Sequence, residues 1–303
     1  MSKTVLITGA AGFTGRYFIS LANKMGFNCI ALTYADNGMV SGCSKTLVAD
    51  LSNKVELKKQ LEAINFDYVL HLAAISFVGH DNCEQIYSTN LQGTINLLDI
   101  ISELGISVKK ILLASSGNVY GNNINLPIDE SNTPYPQNDY GVSKLAMEFA
   151  AQIRAEKLPI VITRPFNYTG IGQAENFLVP KIVAHFSENK KTIELGNIDV
   201  FRDFSDVRDV VKDYIDILTN EKSYGIYNVC SGKSTSLREI IDILSELAKY
   251  KINITVNPNF VRENEIKVLF GSDNKLRKLL GGKVKYSIKD TLGWMYNIQS
   301  SHK

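Results

Sequence analysis

A short apolar run that ends in three spaced glycines constrains the fold of this chain more than any other feature. The segment "TVLITGAAGFTGRYF" places Gly9, Gly12 and Gly15 between a predicted strand at 4–9 and a predicted helix at 13–25. Glycine allows a tight turn and a close approach of the backbone to a pyrophosphate, which the N–H groups of the helix N-terminus can then bind. This context predicts a dinucleotide-binding loop, and a tight turn without a ligand is the alternative.

Further apolar, β-branched runs alternate with helical patterns as far as residue 165. Because these strands are apolar on both faces, they predict a parallel sheet covered by helices on both sides. The predicted fold class is therefore α/β with a doubly wound sheet, whose ligand site lies at the carboxyl ends of the strands. The predicted strands are 28–33, 46–50, 68–74, 108–116 and 158–165, and the predicted helices are 53–64, 84–104 and 138–157.

After residue 165 the pattern loosens, and it predicts a smaller C-terminal α/β lobe that binds the substrate. The dinucleotide-binding domain is expected to comprise 1–165 and about 205–230, and the smaller lobe about 166–204 and 231–303. The chain then crosses between the two more than once. Predicted elements of this half are helices at 178–188, 206–219 and 236–248, short strands within 192–204, and a strand at 225–232.

Charge and cysteine content exclude several classes of partner. The 303 residues carry a net charge of +2 without a long basic run, which argues against nucleic acid or an anionic membrane as a partner. The four cysteines show neither CxxC nor metal-ligand spacing, so no metal is expected. No apolar stretch reaches the ~20 residues that span a bilayer. A cytoplasmic location is the resulting expectation.

A tyrosine and a lysine four residues apart are the first candidates for chemistry. In "NDYGVSKLAMEF", Tyr140 and Lys144 share one face of the predicted helix. A helical wheel puts Val142 and Phe149 on the opposite side, together with Leu145 and Ala146. This wheel predicts that the Tyr–Lys face is not the core-facing side. Ser116 ends the predicted strand 108–116, at the edge where this fold places its chemistry.

These features together resemble the extended branch of the short-chain dehydrogenase/reductase superfamily. The resemblance rests on "TGAAGFTG", on "LLASSGNVYG" with Ser116, and on Tyr140 and Lys144, and it covers the whole chain. It implies a Rossmann fold, a nicotinamide cofactor, and Ser116, Tyr140 and Lys144 as catalytic residues. Lys144 is then expected to lower the phenol pKa of Tyr140 from its usual value near ~10. Ser116 would hydrogen-bond the substrate carbonyl.

The resemblance also implies a set of cofactor contacts. Asp50 would contact the adenine, although it could instead be the N-cap of the next helix. Asn90 would steady the active-site loop. Arg16 could meet a 2′-phosphate, and the second strand ends in Thr33 and Tyr34 rather than in an acid, so NADP(H) is favoured over NAD(H). A solvated Arg16 is the alternative. The predicted cofactor-binding residues are Gly9, Gly12, Phe13, Thr14, Gly15, Arg16, Asp50, Leu51, Leu72, Ala73, Ala74, Asn90, Tyr140 and Lys144.

The second half resembles one branch of sugar-nucleotide enzymes. "RPFNYTGIGQ", "FRDFSDVRDVV" and "VRENEIKVLFGSDNKLRKL" are similar to GDP-4-dehydro-6-deoxy-D-mannose reductases, which make GDP-rhamnose. The chain departs from them at Tyr168, where His is common, at Glu263, where Pro is usual, and in "GGKVKYS". Arg202 and Arg262 are expected to pair with the diphosphate. The predicted substrate-binding residues are Ser76, Ser116, Asn167, Asn176, Phe177, Lys181, Arg202 and Arg262.

Three functions remain open at this point. The resemblance favours an NAD(P)H-dependent reductase that acts on the 4-keto group of a nucleotide-linked 6-deoxy sugar. A nucleotide-sugar 4-epimerase, which keeps its NAD, uses the same three catalytic residues. A dinucleotide-sensing protein without turnover is disfavoured because Tyr140 and Lys144 are retained. A dehydratase is disfavoured because Gly117 and Asn118 follow Ser116, where an Asp-Glu pair is expected. A homodimer through the segments 84–104 and 138–157 is implied by the resemblance.

Overall fold

The computed structural model describes residues 3–76, 82–260, 266–282 and 284–301, which form fourteen strands and ten α-helices. The strands are β1 (Thr4–Thr8), β2 (Asn28–Thr33), β3 (Lys45–Val48), β4 (Tyr68–His71), β5 (Lys110–Ala114), β6 (Ile160–Pro165), β7 (Asn167–Thr169), β8 (Thr192–Leu195), β9 (Phe201–Arg202), β10 (Phe204–Asp206), β11 (Gly225–Val229), β12 (Thr235–Ser236), β13 (Asn253–Val256) and β14 (Val268–Leu269). The helices are α1 (Phe13–Lys24), α2 (Lys54–Leu61), α3 (Cys83–Tyr87), α4 (Gly93–Glu103), α5 (Asp139–Arg154), α6 (Leu178–Ser187), α7 (Val207–Thr219), α8 (Leu237–Ala248), α9 (Asn274–Leu280) and α10 (Ile288–Ser301).

Seven strands form one parallel sheet in the order β11-β6-β5-β4-β1-β2-β3. The chain runs outward from β1 to β3 and then returns to β4 on the other side of β1. It continues outward in the opposite direction through β5 and β6 to β11. The order therefore reverses between β1 and β4, and a doubly wound sheet binds its ligand at this point. The predicted fold class is confirmed.

Helices cover both faces of this sheet, as the apolar strands require. One core lies under α1 and α7 and includes Phe18 and Tyr214, and the other lies under α2, α4 and α5 and includes Leu57, Leu97 and Met147. A separate core joins α6, α8 and α10. The division of the chain into two domains stays our proposal. No helix within the described ranges is long and apolar enough to cross a membrane.

Every element that the sequence predicted before residue 249 has a counterpart in the structure. The strands are shorter than predicted, because 72–74 and 115–116 leave the sheet at its carboxyl edge. Sequence reasoning missed the two- to four-residue strands β7, β12, β13 and β14, and it did not predict α9 and α10. The predicted helix 84–104 contains a π-turn at Ser88–Gln92 between α3 and α4. Such turns frequently occur at functional sites.

Candidate active site

The glycine loop has the shape that a dinucleotide requires. Gly9 has φ +67°, and a Cβ on it would lie 2.9 Å from the backbone nitrogen of Ala73. A Cβ on Gly15 would lie 2.4 Å from the Ala10 carbonyl oxygen, which leaves no room for a side chain. Gly12 is the N-cap of α1 and places no side chain on the helix N-terminus. The loop therefore fits a pyrophosphate held by backbone N–H groups.

Four side chains of α1 contact the segment that follows β6. The Thr14 and Tyr168 hydroxyls are 2.8 Å apart, and the Tyr168 ring stacks on Phe13 at 6.2 Å between centroids. Arg16 donates through Nη2 to the Gly172 carbonyl at 3.0 Å. Tyr17 donates to the Ile171 carbonyl at 2.7 Å. We call these contacts between α1 and residues 168–172 the α1 clasp.

The clasp gives Arg16 a partner that the sequence did not reveal. Its guanidinium reaches residues 168–172, more than 150 positions along the chain, so sequence spacing could not predict it. Arg16 is nevertheless solvent-exposed, beside the first turn of α1. Arg16 can therefore keep its contact to Gly172 and still reach a cofactor. Preference for NADP(H) stays a proposal.

Asp50 lies after β3 at the carboxyl edge of the sheet and is half-buried. Its Oδ1 accepts a hydrogen bond from the Ser52 backbone N–H at 2.8 Å. Asn53 is the N-cap of α2 and accepts from the Glu56 N–H. The suggestion that Asp50 caps this helix is therefore wrong, because the cap lies three residues later. Leu51 is buried against α4, where a Cβ on Gly93 would lie 2.8 Å from the Leu51 Cβ.

Two buried side chains hold the loop after β4 in place. His71 lies between the Thr8 and Thr94 hydroxyls, at 2.8 Å from each, and burial lowers its pKa to about 3. Asn90 accepts from the Ile75 N–H at 2.9 Å and donates to the Ile75 carbonyl at 3.2 Å. The histidine is thus neutral, and the asparagine holds the loop.

Asn90 also ties this loop to the helix of the candidate tyrosine. Its Nδ2 donates to Ser143 Oγ at 3.0 Å, and Ser143 donates to the Tyr140 carbonyl at 2.8 Å. Asn90 is fully buried and lies in the π-turn. Leu72, Ala73 and Ala74, which lie in the loop itself, are half-buried. The structure therefore places these three on the loop surface and Asn90 behind it.

Ser116 and Tyr140 come together at the carboxyl end of β5. Ser116 Oγ accepts from the Asn118 N–H and amide, both at 3.1 Å, which fixes the serine at the start of a 3₁₀-turn. Tyr140 is hydrogen-bonded to Ser116. Burial raises the Tyr140 pKa to about 12, and the neighbouring Tyr168 phenol adds to this shift. The expected lowering of this pKa by Lys144 is not found, because desolvation dominates.

Lys144 lies in the same buried site. Its Nζ donates to the Ala114 carbonyl at 2.8 Å, and burial lowers its pKa to about 8. Tyr140 and Lys144 are 9% and 2% exposed, whereas Val142 and Phe149 are 39% and 57% exposed. The helical-wheel prediction is therefore wrong. The Tyr–Lys face packs against the sheet, and the apolar side faces outward.

The other predicted substrate residues come from the loop after β4 and from the second half of the chain. Ser76 and Asn176 are exposed, and Asn167 and Phe177 are half-buried at β7 and the start of α6. Lys181 donates to the Glu194 carbonyl at 2.8 Å and lies 4.6 Å from the centroid of the Phe260 ring. Contacts of Arg202 include the carbonyls of Phe201 and Lys267. Arg262 and Glu263 lie outside the described residues.

A model of the family described as GDP-mannose 4,6 dehydratase matches residues 6–295. The chain belongs to this family. A GDP-6-deoxy-D-talose 4-dehydrogenase from Aggregatibacter actinomycetemcomitans is 34% identical over 96% of each chain. A GDP-6-deoxy-D-mannose reductase from Pseudomonas aeruginosa is 30% identical over 96% of this chain and 95% of its own. The resemblance to the extended short-chain dehydrogenase/reductase branch is thereby confirmed.

Two solved structures superpose on nearly the whole chain. A protein of Burkholderia cenocepacia J2315 named as a candidate epimerase has a TM-score of 0.92 and is 41% identical, with 99% of both chains covered. RMD from Pseudomonas aeruginosa in complex with NADPH has a TM-score of 0.85 and is 30% identical, with 100% of this chain and 99% of its own covered.

Proposed function

We propose that the chain is an NAD(P)H-dependent oxidoreductase that reduces the 4-keto group of a GDP-linked 4-keto-6-deoxy hexose. The observation that carries this proposal is the meeting of Ser116, Tyr140 and Lys144 at the sheet edge beside the glycine loop. Two relatives named for GDP-6-deoxy sugars support the substrate class. A nicotinamide cofactor, when bound, supplies or accepts the hydride.

The side chains divide the remaining work. Ser116 would hydrogen-bond the keto oxygen and hold it against Tyr140. Tyr140 would donate its phenol proton to that oxygen as negative charge develops on it. Lys144 would bind a hydroxyl group of the cofactor and stabilise the tyrosinate that remains. The Tyr140 pKa of about 12 favours this direction, because the phenol is fully protonated at neutral pH and ready to donate.

The residues after Ser116 weigh against a dehydratase. A dehydratase needs an additional acid and base, but Gly117 and Asn118 follow Ser116, and neither titrates. A 4-epimerase would use the same Ser116, Tyr140 and Lys144. The epimerase stays the second candidate because the Burkholderia cenocepacia relative carries that name.

The cofactor and substrate contacts are proposed residue by residue. Gly9, Gly12 and Gly15 would surround the pyrophosphate, and exposed Arg16 would favour NADP(H) through a 2′-phosphate. Asn167, Lys181 and Arg202 would bind the nucleotide end, with Arg262 as a second diphosphate partner. The four cysteines all lie in the described residues and form no disulfide, which suits the reducing cytoplasm.

The direct test is turnover of GDP-4-dehydro-6-deoxy-D-mannose with NADPH and, in parallel, NADH. We expect stoichiometric oxidation of the cofactor and a single 6-deoxyhexose product. The two named products, the D-talose and the D-mannose compounds, differ in configuration at C4, so the proton coupling constants of the sugar identify the product. Interconversion of two GDP-sugars without net cofactor oxidation would instead establish the epimerase.

We also propose that the chain forms a homodimer through the outward face of α5. Phe149 and Ile153 are 57% and 79% exposed on that face, one turn apart. Replacement of Phe149 by glutamate is expected to convert the dimer to a monomer, since it places a charge within an apolar contact. Light scattering after size exclusion measures the change. Val55→Glu, at an 81% exposed site on α2, is the control and should leave the mass unaltered.

A further inference from the structure

A buried carboxylate lies one helical turn beyond Lys144 and has no role in the reaction as described. Glu148 is 1% exposed. Its Oε1 accepts from Ser115 Oγ at 2.5 Å and from Arg164 Nε at 2.9 Å. Its Oε2 accepts from Arg164 Nη2 at 2.6 Å. The carboxyl group is therefore paired with Arg164 in a bidentate arrangement and fixed in position.

Glu148 and Arg164 contact the two ends of the turn that contains Ser116. Ser115 immediately precedes Ser116, and its backbone N–H also donates to the Thr163 carbonyl at 2.7 Å. The Arg164 guanidinium lies 4.7 Å from the centroid of the Tyr120 ring, at the end of the 3₁₀-turn that Ser116 begins. The Tyr120 hydroxyl donates to Asn228 Oδ1 at 2.7 Å. Glu148 and Arg164 thus determine where the Ser116 turn lies.

Glu148 also acts on the ammonium of Lys144, which faces it at i and i+4 on α5. Burial disfavours the charged amine, and the Glu148 carboxylate opposes that effect. Among the residues that the structure describes, the other titratable groups around Lys144 do not supply a negative charge. His71 of β4 is neutral, Tyr140 is protonated, and Arg164 of β6 is a cation bound to Glu148.

We propose that Glu148 is a positioning residue of this site, which keeps the buried Lys144 charged and, with Arg164, holds the Ser115–Ser116 turn. This inference rests on the proposed function only for its consequence in turnover. The charge coupling and the placement of the turn are properties of the folded protein without substrate.

The test measures the pKa of Lys144 directly. Protein labelled with ¹³C at the lysine ε-carbon is titrated by NMR, and Lys144→Met assigns the resonance. Glu148→Gln removes the negative charge while its amide oxygen can still accept from Arg164, and circular dichroism first establishes that the variant is folded. We expect the Lys144 pKa to fall by about one unit in E148Q and by less in E148Q/R164Q, because loss of the Arg164 cation acts on Lys144 in the opposite direction.

A matched pair on the same helix provides the control. Arg154 of α5 donates to Asp99 of α4 at 2.6 Å, away from Lys144. D99N/R154Q should leave the Lys144 titration where it is in the unaltered protein. An unchanged Lys144 titration in E148Q would overturn the inference, whatever the protein turns over.

Turnover distinguishes this inference from the proposed function. In E148Q, the alkaline limb of kcat for ketone reduction should move to lower pH together with the Lys144 titration. A shifted titration without any effect on the kcat profile would retain the coupling but refute the role given to Lys144. A uniform fall in kcat at all pH values, with the Lys144 titration unmoved, would leave only a structural role for Glu148.

Discussion

Tyr140→Phe is expected to lower kcat for reduction of the 4-keto sugar by roughly 10²–10⁴-fold, the usual contribution of a positioned general acid. The phenyl ring fills the same buried space beside Ser116, so the fold should persist. Cofactor binding should change little, because the glycine loop and Lys144 remain in place. Single-turnover oxidation of NADPH at saturating substrate measures the chemical step, and cofactor fluorescence measures binding.

Tyr135→Phe is the matched control for this variant. Tyr135 is 73% exposed and lies only five residues before Tyr140, so removal of its hydroxyl should leave kcat within a factor of about two. Ketone reduction by Tyr140→Phe at the rate of the unaltered protein would remove the phenol from the mechanism. Loss of cofactor binding together with kcat would show a structural defect instead.

Gly9→Ala is expected to abolish cofactor binding and to lower the free energy of unfolding by about 2–5 kcal/mol. Two costs add at this position. The backbone has φ +67°, which a side chain disfavours, and the new Cβ would lie 2.9 Å from the backbone nitrogen of Ala73. Neither the Gly9 backbone nor the Ala73 backbone can shift without moving β1 or β4. Urea denaturation measures the stability, and NADPH fluorescence measures the affinity.

Gly26→Ala separates the two costs. Gly26 has φ +79° but nothing within 4 Å of a Cβ, so its replacement carries the conformational cost alone, about 1–2 kcal/mol. It lies in the turn after α1 and should leave cofactor affinity unchanged. Equal losses of stability in the two variants would show that the approach of Ala73 to Gly9 is not tight.

The first half of the fold could be predicted because its signals are local. The glycine loop must follow a strand and begin a helix, and runs such as Asn28–Thr33 are apolar on both faces, which only a covered parallel sheet explains. Ser116 was predicted from its place at the end of such a run. Later strands are as short as two residues, as in β9 and β12, and carry no recognisable periodicity.

The face of α5 could not be predicted because a helical wheel defines sides without saying what covers them. Tyr140 and Lys144 are polar, but they pack against the sheet. Val142 and Phe149 are apolar but face outward, and the dimer contact that we propose for this side cannot be read from a single sequence. Glu148 was missed for the same reason, since its spacing from Lys144 signals an exposed ion pair equally well.

The α1 clasp has a consequence for recombination between relatives. We propose that the second half of the chain binds the nucleotide sugar, so exchange of that half between relatives would be the way to alter substrate preference. Here the exchanged part would include Tyr168, whose hydroxyl meets Thr14, and Gly172, whose carbonyl accepts from Arg16. A hybrid that imports 166–204 but keeps a mismatched α1 would lose these contacts beside the pyrophosphate loop. Positions 14, 16 and 17 therefore have to be inherited together with the second half.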